Sequence, residues 1–208
     1  MSWTLAADGV RFWEYAGLRG IHVHALTISQ TQCRFVSDLI QRNGLPCQVE
    51  LVDFFEYKPD RKYKGVVLMG SLEHLPQYGD VATHLTRCLA PGGKVYADFC
   101  ARTDAQATWG FLKRYIYNGS AAFVNVDKLC RAFVRLGFGV DELIDDTENY
   151  ALTVRDWAHS LQENQEEVAR IGGDTSARAF LLWLWASHMS FRERRTTAHR
   201  LVARFESD

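Results

Sequence analysis

The chain has 208 residues, 47% of them hydrophobic, with 24 Lys and Arg against 25 Asp and Glu for a net charge of −1. That length suits one domain with a sizeable core, and the balanced charge leaves no basic footprint for nucleic acid. No run of roughly 18 apolar residues is present to span a membrane, and the first residues lack the basic and apolar regions of a signal peptide.

Taken in chain order, strand and helix signals alternate. Residues 12–18 read as a short helix stopped near Gly20, and residues 21–27 alternate apolar and polar as a strand does. Ser29 caps a predicted helix over 30–43, with Gly44 as its stop. Strands are predicted over 48–52, ending at Asp53, and over 63–69. A helix over 78–89 is followed by Pro91-Gly92-Gly93, which stops it and feeds a strand over 94–99. This cadence implies a parallel sheet with helices on both faces. Beyond residue 100 the pattern changes: 108–118 is aromatic-rich and irregular, 126–136 is an amphipathic helix ended by Gly137, and 140–146 reads as a strand. Two helices are predicted over 153–171 and 176–205, separated by Gly172-Gly173-Asp174. The expected architecture is a single α/β domain, with a helical cover (about 101–135 and 150–208) packed back on the sheet.

The five cysteines (Cys33, Cys47, Cys88, Cys100 and Cys130) are scattered and form no C-x-x-C pair. They indicate neither a zinc site nor a disulfide framework, so they read as thiols of a cytoplasmic protein, with Cys100, just past a strand end, as a candidate exception.

The most informative stretch is Leu68-Met69-Gly70-Ser71-Leu72-Glu73-His74-Leu75-Pro76. An apolar strand ends at Gly70 and then offers an acid and an imidazole, Glu73 and His74, at its carboxyl end, where open parallel sheets bind ligands. Four segments, this one among them, lie in order along the chain. Leu26-Thr27-Ile28-Ser29-Gln30-Thr31-Gln32 is similar to a T-L-S-x-x-Q segment, and Gly70-Ser71-Leu72-Glu73-His74 to G-x-F-E-H. Tyr115-Ile116-Tyr117-Asn118-Gly119 is similar to Y-I-F-P-G-G, and residues 150–157, from Tyr150 to Trp157, to Y-A-x-T-L-x-x-W. With these motifs the chain resembles the cyclopropane-fatty-acid synthase and mycolic-acid cyclopropane synthase family over about residues 9–205. Those enzymes depend on S-adenosyl-L-methionine (SAM).

The resemblance implies a Rossmann-like class I methyltransferase. It implies delivery of an electrophilic methyl group to a double bond of an unsaturated, largely apolar, fatty-acyl-like substrate. In the family a bound bicarbonate then removes a proton and the ring closes. By motif position Glu73 and Tyr150 correspond to residues that hold bicarbonate, with His74 beside them. Gly9, Thr27, Ser29, Gln32, Asp53, Phe54 and Gly70 fall where the family contacts SAM, Phe54 as a ring to cover the adenine face. No metal is implied.

Two departures from the family are visible. The glycine-rich loop after the first strand is reduced to Gly9 within Leu5-Ala6-Ala7-Asp8-Gly9-Val10-Arg11-Phe12, so either the chain starts late or the SAM loop is lost. A short N-terminus would also remove an edge strand and expose the sheet to pairing with a like or unlike chain. The second departure is Asp98, which stands where the family's strand carries a bicarbonate-binding His. Two carboxylates facing one anion repel it, and one of them is expected to rise in pKa. Asp98 is therefore a candidate general base in place of bicarbonate, unless the reaction is a plain methyl transfer.

Residues 180–185 (Phe180-Leu181-Leu182-Trp183-Leu184-Trp185) are read first as core and second as the lining of a lipid-like pocket. Arg192, Arg194, Arg195 and Arg200 are read as a solvated helix face that leaves peripheral contact with anionic headgroups open. Two other functions compete with the SAM-dependent enzyme of cyclopropane-synthase type. One is a non-catalytic binding or partner subunit that keeps the fold; the other is a methyltransferase for a small natural product.

Overall fold

The computed structural model describes residues 3–7, 12–102, 110–116 and 122–206. Seven strands form one sheet: β1 (Trp3–Ala7), β2 (His22–Thr27), β3 (Cys47–Leu51), β4 (Tyr63–Met69), β5 (Leu89–Ala101), β6 (Phe138–Asp145) and β7 (Thr197–Phe205). Their order is β3-β2-β1-β4-β5-β7-β6, and β1 to β5 pair in parallel. The helices are α1 (Phe12–Gly17), α2 (Gln30–Asn43), α3 (Tyr78–Cys88), α4 (Gly110–Tyr115), α5 (Val126–Arg135), α6 (Thr147–Glu163), α7 (Gln165–Gly172) and α8 (Asp174–Arg192). The chain forms two compact units. One comprises residues 1–99, 127–143 and 200–208; the other comprises 100–126 and 144–199.

In the first unit the core follows the strand alternation. Val23 and Ala25 of β2 and Val67 of β4 are buried with Trp13 and Ala16 of α1 and Val36 of α2. The predicted ends of α2 are as the sequence indicates: Ser29 Oγ accepts from Gln32 N at 3.3 Å, and Gly44 takes the left-handed conformation (φ 58°). Strand β1 lies inside the sheet, with Thr4 paired to both Val23 and Gly65. The expectation of an exposed edge at the N-terminus is thereby corrected: among the described residues the outermost strands are β3 and β6.

Pro91-Gly92-Gly93 does not separate helix from strand as predicted. Strand β5 begins at Leu89, and the three residues are a bulge inside it, where the register with β4 shifts between Tyr63 and Gly65. The chain crosses itself closely here. A Cβ on Gly93 would stand 2.8 Å from Ala90 O and 3.2 Å from Tyr63 O.

The larger correction is at the C-terminus. The helix predicted over 176–205 ends at Arg192, and residues 197–205 are strand β7, inserted between β5 and β6. Arg204 and Lys94 both pair with Asp141, so β7, β5 and β6 are tied by ions as well as by backbone. The supposed basic helix face dissolves with the helix. Arg194 pairs with Asp145, Arg195 with Glu193, and Arg200 lies within β7.

In the second unit α6 and α8 share a core of Ala151, Val154, Ala158, Leu184, Phe191 and Ala198. Of the apolar run 180–185 only Leu184 is fully buried, while Phe180 and Leu182 are exposed. The start of α6 is fixed by Asp145, whose carboxylate accepts from Thr147 N (3.0 Å), from Thr147 Oγ1 and from Arg194. Burial alone would raise this carboxyl, but these bonds outweigh it and hold it at about 2. No helix of the described residues is long and apolar enough to cross a membrane.

Gly93→Ala is expected to cost about 1–3 kcal/mol, because the obstacle on one side of the bulge is backbone. Urea unfolding would show the lowered midpoint.

Candidate functional site

The strand order reverses between β1 and β4: the chain runs outward from β1 through β2 to β3, then returns to β4 and runs the other way. A crevice opens at the carboxyl ends of the strands on either side of such a switch point. The tips of β2, β3, β4 and β5 bring most of the sequence-predicted residues to this rim. Gly9, in the loop after β1, lies outside the described residues, as do Tyr117, Asn118 and Gly119.

At the tip of β2, Thr27, Ser29 and Gln32 are joined. Thr27 Oγ1 donates to Gln32 Oε1 at 2.7 Å and accepts from Ser29 N at 3.1 Å. The cap of α2 and this polar set are therefore one structure. At the tip of β3, Asp53 opens a turn: its carboxylate accepts from Phe55 N at 2.8 Å, and its carbonyl from Glu56 N and Tyr57 N at 3.1 and 3.0 Å. Phe54 is buried, edge-on to His84 with ring centroids 4.7 Å apart. Its neighbour Phe55 is the more exposed ring (38%) and is a residue the sequence reading did not single out.

At the tip of β4, Gly70 turns the chain with φ 61°, and a Cβ there would meet no atom within 4 Å. Its N–H reaches both the side chain of Asp98 (Oδ1, 2.8 Å) and the Asp98 carbonyl (3.2 Å). A single 3₁₀ turn over Leu72–His74 follows, placing Glu73 half-buried and His74 exposed. Asp98 lies across from Met69 in the β4–β5 register. Burial raises its carboxyl above the ordinary carboxylate value, partly offset by the Gly70 N–H and by Arg200. The rise on Asp98 comes from burial and not from a facing carboxylate.

Tyr150 belongs to the second unit, in the first turns of α6, with Tyr150 N donating to Asp146 O at 2.9 Å. Its ring packs edge-on against Phe191 (5.1 Å between centroids) and Trp157 (6.2 Å). The sequence places it just ahead of a helix; it stands inside one.

A second polar group, not anticipated, lies below the rim: His24, Tyr57 and Tyr63, all buried, with Glu50 beside them. A signal was present, since a His in an alternating strand over 21–27 sits either on a wet face or against partners; the alternation alone favours the wet face. On the outer side of the same turn a cleft of about 420 Å³ runs between Phe55–Pro59 and His84 and Arg87 of α3. Among the described residues no cluster of His, Cys, Asp and Glu suits a metal ion.

The family model of mycolic acid cyclopropane synthetase matches residues 10–201. A Mycobacterium tuberculosis protein described as a probable fatty acid methyltransferase is 24% identical over 196 residues, which are 91% of this chain and 45% of that protein. The chain thus spans about half the length of the curated relatives it matches. The cyclopropane synthase structure from the same organism superimposes with a TM-score of 0.87 at 18% identity, over 98% of this chain and 78% of that one. A mycolic acid cyclopropane synthase complexed with SAH and CTAB gives 0.85 at 17%, with the same coverage. At these identities the structural likeness speaks for the fold, a class I methyltransferase fold.

The raised Asp98 carboxyl has a consequence for stability. Its contribution is fully present below the ordinary carboxylate pKa and is lost as pH rises through the raised value of the folded protein. Asp98→Asn removes that loss and, with the amide oxygen still able to accept from Gly70 N, is expected to raise the Tm near neutral pH. Thermal unfolding across the acidic range would show the two proteins converging as pH falls.

Proposed function

This chain belongs to the mycolic acid cyclopropane synthetase family, and on that premise we propose that it transfers a methyl group from SAM to an unsaturated, largely apolar, fatty-acyl-like substrate. The observation that carries the reading is the family match across 10–201, with polar side chains at the tips of β2, β3, β4 and β5, four of the five parallel strands. The cofactor fits what stands there: Gly70 leaves open space where any other residue would put a Cβ, and Thr27, Ser29 and Gln32 bring hydroxyls and an amide to the tip of β2. SAM supplies an electrophilic methyl on a sulfonium.

In this reading Thr27, Ser29, Gln32 and Asp53 bind and orient the cofactor through its hydroxyl and amino edges. The aromatic cover comes from the turn that carries Phe54 and Phe55. Glu73, half-buried after β4, stabilises positive charge as it develops on the acceptor carbon, with His74 beside it assigned by motif position. Once the new carbon–carbon bond has formed, ring closure needs one proton removed from the added methyl. Asp98, at the rim and with a raised pKa, takes that proton in place of bicarbonate. The relatives support a lipid acceptor, two being described as fatty acid and tuberculostearic acid methyltransferases.

S-adenosylhomocysteine is expected to bind with a micromolar Kd, about −8 kcal/mol; neither heat nor a thermal shift on adding it would end the cofactor reading. With SAM and vesicles of unsaturated phospholipid, mass spectrometry should find acyl chains heavier by one methylene. Asp98→Asn should lower that turnover by about a hundredfold while S-adenosylhomocysteine binding persists. Unchanged turnover would remove Asp98 from the chemistry.

A further inference from the structure

Below the strand tips lies a polar cluster for which the proposed reaction has no use. His24 is 5% exposed, Tyr57 4% and Tyr63 not at all. The Nδ1 of His24 is 2.7 Å from Tyr63 Oη and 3.1 Å from Tyr57 Oη, and the two hydroxyls are bonded to each other. On the opposite edge of the ring, Nε2 is 3.1 Å from Glu50 Oε2. The His24 and Tyr57 rings also meet edge to face, with centroids 5.1 Å apart at 89°.

The protons of this cluster can be counted. A carboxylate only accepts, so Nε2 donates to Glu50, and in the neutral ring Nδ1 accepts. One tyrosine hydroxyl donates to Nδ1 and the other to its neighbour's oxygen, so every hydrogen has an acceptor. A second proton on His24 would make Nδ1 a donor and leave one buried hydroxyl hydrogen without an acceptor in the cluster. Burial holds the imidazole below its ordinary value, against the raising effect of Glu50. The other charged groups facing it are Asp60, which raises it, and Arg61, which lowers it and is bonded to Asp60. From α3, the Cys88 thiol faces Tyr57.

The cluster holds one thing in particular. Tyr57 closes the turn that opens at Asp53, its own N–H donating to Asp53 O at 3.0 Å. Between Leu51 and Tyr63 the chain has neither strand nor α-helix, so Tyr57's side chain is the bolt that fastens this turn to β2 and β4. The turn carries Asp53, Phe54 and Phe55, the residues assigned above to one end of the cofactor.

We propose that the His24–Tyr57–Tyr63 cluster is a buried anchor that sets the Asp53–Tyr57 turn in place for the cofactor, with His24 and Tyr57 as positioning residues whose hold depends on the neutral imidazole. This rests on the cofactor reading given above.

Amide hydrogen exchange and S-adenosylhomocysteine calorimetry on the full chain test it by separate routes. Tyr57→Phe keeps the ring and removes the hydroxyl. It is expected to speed exchange at the Phe55, Glu56 and Tyr57 amides, and to weaken S-adenosylhomocysteine binding, each on the order of tenfold, with α2 amides unaffected. In the unaltered protein the affinity should hold at neutral pH and fall only as pH drops below the ordinary imidazole value of about 6.5. In His24→Gln, which keeps an acceptor but does not titrate, it should stay level. Wild-type exchange in Tyr57→Phe would overturn the anchor. Loosened amides with unchanged affinity would overturn the positioning role. An unaltered protein that binds no S-adenosylhomocysteine would overturn the cofactor reading and the positioning role together, while a persisting difference in exchange would keep the anchor.

Discussion

The arrangement of the rim depends on how the chain leaves β4. At that point it must turn sharply beside the switch in strand order, and it does so through Gly70 at φ 61°, a conformation that costs any residue with a Cβ. The turn is held because the Gly70 N–H is caught by Asp98 from the neighbouring strand, both at its carboxylate and at its carbonyl. The last ladder bond of β4, to the Asp98 carbonyl, is thus reinforced by a charge-assisted bond to the carboxylate of the same residue. The open space above Gly70 and the position of Glu73 one turn later both follow from that single fixed donor.

The polar groups at the other tips are also held by local partners. Thr27, Ser29 and Gln32 satisfy one another while capping α2, and Asp53 organises its turn through both its carboxylate and its carbonyl. His24 is the extreme case, an imidazole inside the sheet that is tolerated because both ring nitrogens have partners. Side chains fixed in this way lose little freedom when a ligand arrives, which is the condition for a site that is formed before binding.

Much of this was legible in the residues. Ser29 and Gly44 bound α2 because a side-chain oxygen and a left-handed glycine are chemical requirements of helix ends. The run 63–69 reads as a strand because it is apolar and ends at a glycine. What failed, failed where tertiary pairing overrides local preference. Residues 193–205 hold no glycine or proline to mark a break, and Ala, Arg and Leu suit a helix. The break is made by Arg194, which takes a left-handed φ of 54° usually left to glycine, and sheet pairing then recruits the next residues as β7. Pro91-Gly92-Gly93 looked like a boundary because a bulge and a helix stop call for the same residues. Within the candidate site, single residues at strand tips could be named from motif order. The His24 cluster could not, because its members come from β2, β4 and the loop between β3 and β4, and no spacing in the chain records their meeting.

The charge at the rim bears on the chemistry proposed for it. Glu73 and Asp98 bring carboxylates to the neighbouring tips of β4 and β5, Asp53 adds a third after β3 on the far side of β1 and β2, and the cation acting on Asp98 is Arg200. Such a rim favours a positively charged donor and positive charge developing on an acceptor carbon, and it disfavours a resident anion. In the proposed reaction, Asp98 at the position where the resemblance implies a His is more than a substitution of one base for another. A neutral imidazole can share a site with bicarbonate, whereas a carboxylate competes with that anion for the same proton and the same cationic surroundings. Burial makes Asp98 a better proton acceptor than an exposed carboxylate, which is the property the proposed proton removal asks of it.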